Sequence, residues 1–200
     1  MKVKSKLETN IAYERLMKMG KITLITGSYN SGKSRWAVSY FECCDNIQYL
    51  CTSSNLDKST MERIIFTESS HNVCWDIRCN FQFDNPPPDL LEYDNFIIDS
   101  VGDIAAKKFF YDFDKFTSAE KYRMSSISEE FTRKVTDFVT KIKSCGGNVI
   151  VITNEMGFNP TFFGGKANHF ENALCKVNQR LAALADEVYF SVSGIQFKIK

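Results

Sequence analysis

The stretch Gly27-Ser28-Tyr29-Asn30-Ser31-Gly32-Lys33-Ser34 has the residue types and spacing to do chemistry. It reads G-x-x-x-x-G-K-S, the spacing of a loop that cradles phosphates. Gly27 and Gly32 let the backbone wrap close without a Cβ in the way. The N–H groups of such a loop converge on one spot and favour an anion there. Lys33 is then placed to reach the β- and γ-phosphates, and the Ser34 hydroxyl to ligate Mg²⁺. The substrate class this selects is a nucleoside triphosphate, ATP or GTP; no residue pattern distinguishes the two bases.

A second carboxylate chemistry lies downstream. Asn95-Phe96-Ile97-Ile98-Asp99 is an apolar run ending in an acid. A strand-terminal Asp beside a phosphate loop is the form that orients Mg²⁺ or its water. Asp103 is a spare acid of the same segment. Glu155 follows the run Asn148–Thr153 and is a candidate to orient an acceptor hydroxyl or a metal-bound water; its bland reading is a loop hydrogen bond.

The elements that must position these residues follow from the hydrophobic pattern. Ile22–Thr26 reads as the first strand, and a helix runs from the loop to about Cys43. Gln48–Cys51 is a second strand. Lys58–Glu68 carries Met61, Ile64 and Ile65 at helical spacing, and Trp75–Arg78 is a short strand. Pro86-Pro87-Pro88 marks a surface loop. Lys107–Arg123 is rich in Phe, Tyr and Lys, and reads as packing against the core. Ser128–Cys145 is a long helix with Phe131, Val135, Phe138, Val139 and Ile142 on one face, closed by Gly146-Gly147. Residues 154–169 read as a loop, Glu171–Ala185 as a helix, and Glu187–Val192 with Phe197–Lys200 as a hairpin. Strands alternating with helices imply an α/β fold with a mostly parallel sheet covered on both faces. Its ligands then sit at the carboxyl ends of the strands, where the loop, Asp99 and Asn154-Glu155 converge.

Composition narrows the classes. The 200 residues are 44% hydrophobic and 24% charged, which suits one domain with a sizeable core. The reading divides the chain into an N-terminal extension, 1–20, and a nucleotide-binding domain, 21–200. A net charge of +1 gives no basic field for nucleic acid. No apolar run approaches a membrane span, and residues 1–21 are too charged for a secretory signal. Seven cysteines without C-x-x-C spacing read as reduced thiols, hence a cytoplasmic protein. His71 and His169 are the only histidines, and neither sits in a zinc-ligand pattern.

The C-terminal third carries a resemblance. Thr153-Asn154-Glu155-Met156-Gly157, the block Val177-Asn178-Gln179-Arg180-Leu181-Ala182-Ala183-Leu184-Ala185-Asp186-Glu187-Val188-Tyr189, and Val192-Ser193-Gly194-Ile195 closely resemble the adenosylcobinamide kinase / adenosylcobinamide-phosphate guanylyltransferase family of cobalamin biosynthesis. Ile25 through Arg35 fits the same pattern, as do Tyr49-Leu50-Cys51-Thr52-Ser53, Asp57, Arg63-Ile64 and Trp75. The likeness runs from about Lys21 to Lys200; within 80–145 it is confined to the strand Phe96–Asp99 and the helix. It implies a RecA-like P-loop fold, a homotrimer, and Mg²⁺ as cofactor. It also implies two reactions: phosphorylation of the aminopropanol hydroxyl of adenosylcobinamide, and GMP attachment from GTP through a guanylyl-histidine. Thr52 and Ser53 join the loop as expected nucleotide contacts.

Departures from the family pattern shape the functional reading. Phe66-Thr67 stand where the family has its histidine, Asn30 where it has Arg, and Glu171-Asn172 where it has Arg-Asp. His71, four residues past Thr67, is the alternative guanylyl acceptor, on the same face if the helix continues. It occupies a position where the family has Arg, and Ser69-Ser70 are positioned to end the helix first. The leading expectation is a cobinamide kinase, with Lys33, Asp99 and Glu155 as catalytic residues and the guanylyl step impaired or absent. The alternatives are a nucleotide-binding or regulatory protein that has lost both reactions, and a bifunctional enzyme using His71.

Overall fold

Four buried apolar segments build the centre of the sheet, and their order decides where the chemistry falls. The computed structural model describes residues 19–71, 73–156 and 166–200. The expected amphipathic segment in 1–20 lies, up to residue 18, outside the described residues, as does most of the loop after Met156. The strands are β1 (Ile22–Gly27), β2 (Ile47–Cys51), β3 (Trp75–Arg78), β4 (Asn95–Asp99), β5 (Asn148–Ile152), β6 (Glu187–Val192) and β7 (Ile195–Lys198). They form one sheet in the order β3-β2-β4-β5-β1-β6-β7. Every pairing is parallel except β6 with β7, the C-terminal hairpin.

The helices are α1 (Lys33–Tyr40), α2 (Lys58–His71), α3 (Val101–Ala106), α4 (Ser118–Tyr122), α5 (Met124–Ser144) and α6 (Lys166–Leu184). Successive strand residues point to opposite faces, so the sheet feeds two cores. Ile22, Leu24, Phe96, Ile98, Val149 and Val151 pack with α3, α5 and α6 on one face. Ile25, Ile47, Tyr49, Ile97, Ile150 and Ile152 pack with α1 and α2 on the other. Burial on both faces explains why β1, β2 and β4 read as continuous apolar runs rather than alternating ones. Each such side chain contributes about 1.5–3 kcal/mol on leaving water. Among the described residues no helix is long and apolar enough to cross a membrane.

The fold class and the hairpin agree with the sequence reading, with several boundaries moved. α1 stops at Tyr40, α5 begins at Met124 and α6 at Lys166, before its expected start at Glu171. β7 pairs through Ile195–Lys198, because Ser193 and Gly194 alone form the turn. Ser69 does not end α2: its hydroxyl donates to the Ile65 carbonyl at 2.8 Å, a bond compatible with the helix, which runs on through His71. Lys107–Tyr111 winds as a wide π-type turn that continues α3 and buries Phe109.

Glu187 ties the hairpin to the first strand. Its carboxylate receives Lys198 at 2.5 Å and Lys21 at 2.7 Å. Those two ammonium groups pull its pKa from 4.5 down to about 2. Burial works against the Lys21 charge, but its bonds to Glu187 and Tyr40 outweigh it and push its pKa up to about 12. A depressed carboxylate contributes stability above its unfolded pKa and loses it as pH falls. The thermal midpoint is therefore expected to fall more steeply between pH 4.5 and 2 for the wild type than for Glu187→Gln. Parallel acid sensitivity in the two proteins, measured by circular dichroism melts, would show that these pairs contribute nothing to folding.

Candidate nucleotide site

The loop between β1 and α1 is held in shape by the hairpin turn beside it. The Ser31 carbonyl accepts the Gly194 N–H at 3.0 Å and the Ser191 hydroxyl at 2.7 Å. Gly27 has φ +152°, and a Cβ there would lie 2.3 Å from the Ser191 carbonyl oxygen. Gly32 sits at φ +95° as the N-cap of α1, its Cβ direction facing Gly194 Cα at 3.2 Å. Both glycines are thus demanded by the backbone's own geometry. With the Ser31 carbonyl drawn toward the hairpin, the N–H groups of Tyr29, Asn30 and Gly32 make no backbone hydrogen bond among the described residues. Unpaired donors at the entry to a helix are the physical basis of an anion site.

Lys33 is buried, and its ammonium donates to the Gly27 carbonyl at 3.1 Å and the Ser28 carbonyl at 2.7 Å. Burial lowers its pKa, against the opposing pull of Asp99 and Asp103. Asp99 ends β4 half-buried, and burial of its carboxyl raises its pKa. The Tyr49 hydroxyl donates to it, and the Ser34 side chain also bonds to it; both favour the charged form without overcoming burial. Tyr49 is itself fully buried, which drives its phenol pKa well above 10. The Ser34 hydroxyl and Asp99 carboxylate are oxygen donors brought to one point, a donor set that fits a hard cation such as Mg²⁺.

These residues open on a cleft of about 560 Å³ at the carboxyl end of the sheet. Tyr29 through Arg35 form one wall, with Asp99, Ser100 and Asp103 behind and Ser53, Asp57 and Thr60 opposite. Tyr29 is 79% exposed at the loop tip. Asp57 shapes the opposite wall by accepting from the Thr60 N–H at 3.0 Å and the Ser59 hydroxyl at 2.6 Å, a side-chain cap on the start of α2.

The other residues singled out from the sequence fall outside this wall. The Thr52 hydroxyl is spent between strand ends: it donates to the Asp99 and Ser100 carbonyls and accepts the Ser100 N–H at 2.9 Å. Glu155 turns back onto β1, accepting from the Thr26 hydroxyl at 3.4 Å while its N–H donates to the Gly27 carbonyl at 3.0 Å. Asn154 takes the place in the cleft instead. α6 fixes it there: the Asn178 amide donates to the Asn154 carbonyl at 3.0 Å, and the Thr153 hydroxyl donates to Asn178 at 2.7 Å. Thr67 is fully buried, with its hydroxyl donated to the Ile64 carbonyl at 2.8 Å. Phe66 is exposed beneath the Arg63 guanidinium. His71 lies eleven residues along α2 from Thr60, a rise of about 16 Å. It is exposed, with Nδ1 3.8 Å from Cys43 Sγ.

Sequence reasoning missed Tyr49, because a buried strand tyrosine reads as core. It placed Asn154 and Glu155 together at the strand ends but gave the chemistry to Glu155, whereas Asn154 is the one that lines the cleft. Asp57 did carry a signal, as an acid three residues before Thr60 at a helix start.

Comparison with known proteins bears on the whole chain. The family model described as cobinamide kinase / cobinamide phosphate guanyltransferase matches residues 23–199. A bifunctional adenosylcobalamin biosynthesis protein of Salmonella typhimurium is 28% identical over 179 residues, covering 88% of this chain and 98% of the relative. The Escherichia coli protein of the same description is 27% identical over 180 residues, with the same coverage.

Lys33→Ala is expected to lower nucleotide turnover by about 10²–10³-fold, because it deletes a preorganised cation at the transferring phosphate. It also removes one of the two donors to each of the Gly27 and Ser28 carbonyls, which keep the Glu155 and Ser31 N–H groups, at a stability cost of about 0.5–1.5 kcal/mol in urea unfolding. Turnover at the wild-type rate would refute the loop assignment. Asp99→Asn should weaken nucleotide binding much more with Mg²⁺ than with excess chelator, since it removes one negative charge at the cation. Equal weakening in both titrations would make Asp99 a structural residue.

Proposed function

The chain belongs to the cobinamide kinase / cobinamide phosphate guanyltransferase family, and from that premise we propose that it phosphorylates adenosylcobinamide without the guanylyl step. The donor is ATP or GTP, and the acceptor is the aminopropanol hydroxyl. One contrast carries this reading. Lys33, Ser34 and Asp99, the residues this reading assigns to phosphoryl transfer, line one cleft together. Thr67, which the resemblance sets against the family histidine, is by contrast buried with its hydroxyl bonded to Ile64.

Phosphoryl transfer asks a protein for positioning and charge neutralisation rather than covalent chemistry. The loop N–H groups hold the phosphates, and Lys33 leaves the Gly27 and Ser28 carbonyls to meet the β- and γ-oxygens. Ser34 and Asp99 would hold Mg²⁺, which supplies charge neutralisation across the same oxygens. Guanylyl transfer requires a nucleophile that is neutral near pH 7 and in line with the α-phosphate. Thr67 has no adjacent base, and His71 lies at the far end of α2 from the cleft wall. The reading places this activity in residues 21–200, with 1–20 as an extension, in a cytoplasmic homotrimer.

The test is incubation with GTP labelled separately at the α- and γ-positions, with and without cobinamide. The γ-label is expected in cobinamide, and no acid-labile α-label on the protein. Nucleotide binding without transfer would instead mark a regulatory protein. α-Label that disappears in His71→Ala would establish a bifunctional enzyme with a relocated nucleophile.

A further inference from the structure

Beside the nucleotide cleft, at the carboxyl ends of β2 and β4, lies a second cavity of about 410 Å³. Asp103 belongs to the walls of both. Its N–H is held by the Ser100 hydroxyl at 3.2 Å, while its exposed carboxylate makes no hydrogen bond or ion pair among the described residues. It is close enough to Lys33 and Asp99 to act on the charge of each. The other acids near the loop are committed elsewhere: Asp99 to Tyr49 and Ser34, Asp57 to Ser59 and Thr60, and Glu155 to Thr26.

The second cavity has a distinct chemistry. Phe81, Phe83, Phe116 and Phe131 line it, and Phe81 stacks edge-on with Phe83 at 5.1 Å. Rim charges largely cancel: Lys134 pairs with Asp84 at 2.6 Å and Lys115 with Asp112 at 2.7 Å. Lys107 makes no ion pair among the described residues and remains a free donor on the rim. Aromatic walls with balanced charge and a spare donor suit a bulky, π-rich molecule with amide groups at its edge. The volume accommodates one end of such a molecule rather than the whole of it.

We propose that this cavity receives the hydroxyl-bearing end of the corrinoid acceptor, and that Asp103 is the general base for its phosphorylation. The inference rests on the kinase reading above. The acceptor oxygen forms a bond to the γ-phosphorus as the bond from that phosphorus to the β,γ-bridging oxygen breaks. The hydroxyl proton passes to the Asp103 carboxylate, and the nucleoside diphosphate leaves with the bridging electron pair.

The experiment compares wild type, Asp103→Asn and Phe116→Ala for γ-phosphate transfer to cobinamide, for nucleotide binding, and for cobinamide binding by equilibrium dialysis. Asp103→Asn is expected to lower kcat by about 10²–10⁴-fold with little change in cobinamide KM, since a base acts in the transition state. Phe116→Ala is expected to raise KM and the dialysis Kd by about tenfold while kcat holds, as lost stacking and burial imply. Nucleotide affinity near wild type in Phe116→Ala, and a wild-type thermal melt by circular dichroism in both variants, show that the fold is intact. Wild-type kcat in Asp103→Asn, or loss of its Mg²⁺-dependent nucleotide binding instead, overturns the base assignment. Unchanged cobinamide affinity in Phe116→Ala overturns the cavity assignment. Absence of transfer by the wild type overturns the kinase reading itself, and dialysis then still decides whether cobinamide occupies the cavity.

Discussion

Everything at the site depends on where the carbonyls of residues 27–33 are sent. A loop presents its N–H groups to phosphate only if its own carbonyls find donors elsewhere. Here the Ser31 carbonyl is taken by Gly194 and Ser191, and those of Gly27 and Ser28 by Lys33. The Gly27 carbonyl also receives the Glu155 N–H at 3.0 Å. The edge hairpin is therefore part of the phosphate site, although none of its residues need touch a ligand. The same logic extends outward. Asp186 accepts the Ile22 N–H at 2.8 Å and pairs with Lys143 at 2.6 Å, anchoring the strand that launches the loop.

The second constraint is electrostatic. Lys33 and Asp99 are opposite charges withdrawn from water in one cleft, and burial pushes each toward its neutral form. Their mutual attraction and the hydroxyls around Asp99 offset only part of that cost. Charge arriving with a nucleotide and a cation replaces the missing partners, so the site is more comfortable filled than empty. The parallel sheet makes this possible: β5 lies between β1 and β4 and delivers Asn154 between the loop and Asp99.

α2 shows how one helix serves the cleft at one end and the core at the other. Its first turn, capped by Asp57, forms a wall of the cleft. Further along, Thr67 is packed against the core with its hydroxyl satisfied internally, an arrangement that costs nothing in unpaired polar groups. A buried, self-satisfied threonine has no free hydroxyl to present to the cleft. His71, on the next turn, is exposed and stands with Glu42 and Cys43, their donor atoms within 4.8 Å of one another.

Local chemistry was legible in the sequence because it depends on neighbours in the chain. The G-x-x-x-x-G-K-S spacing, the apolar run ending in Asp99 and the period of the long helix α5 each describe one element, and each is found where its pattern puts it. Continuous apolar strands determined a parallel sheet covered on both faces, and the Asn178–Tyr189 block determined the family. What that block and the hairpin after it are for was decided only in three dimensions. Asn178 braces the turn after β5, Asp186 the start of β1, and Ser191 with Gly194 the loop itself. The tertiary structure also separated Thr52 and Glu155 from the cleft wall, kept Asn154 and Asp103 on it, and set the buried Tyr49 behind it as a donor to Asp99. A sequence records which groups are present, but which hydrogen bonds consume them is settled by strands distant in the chain that lie side by side.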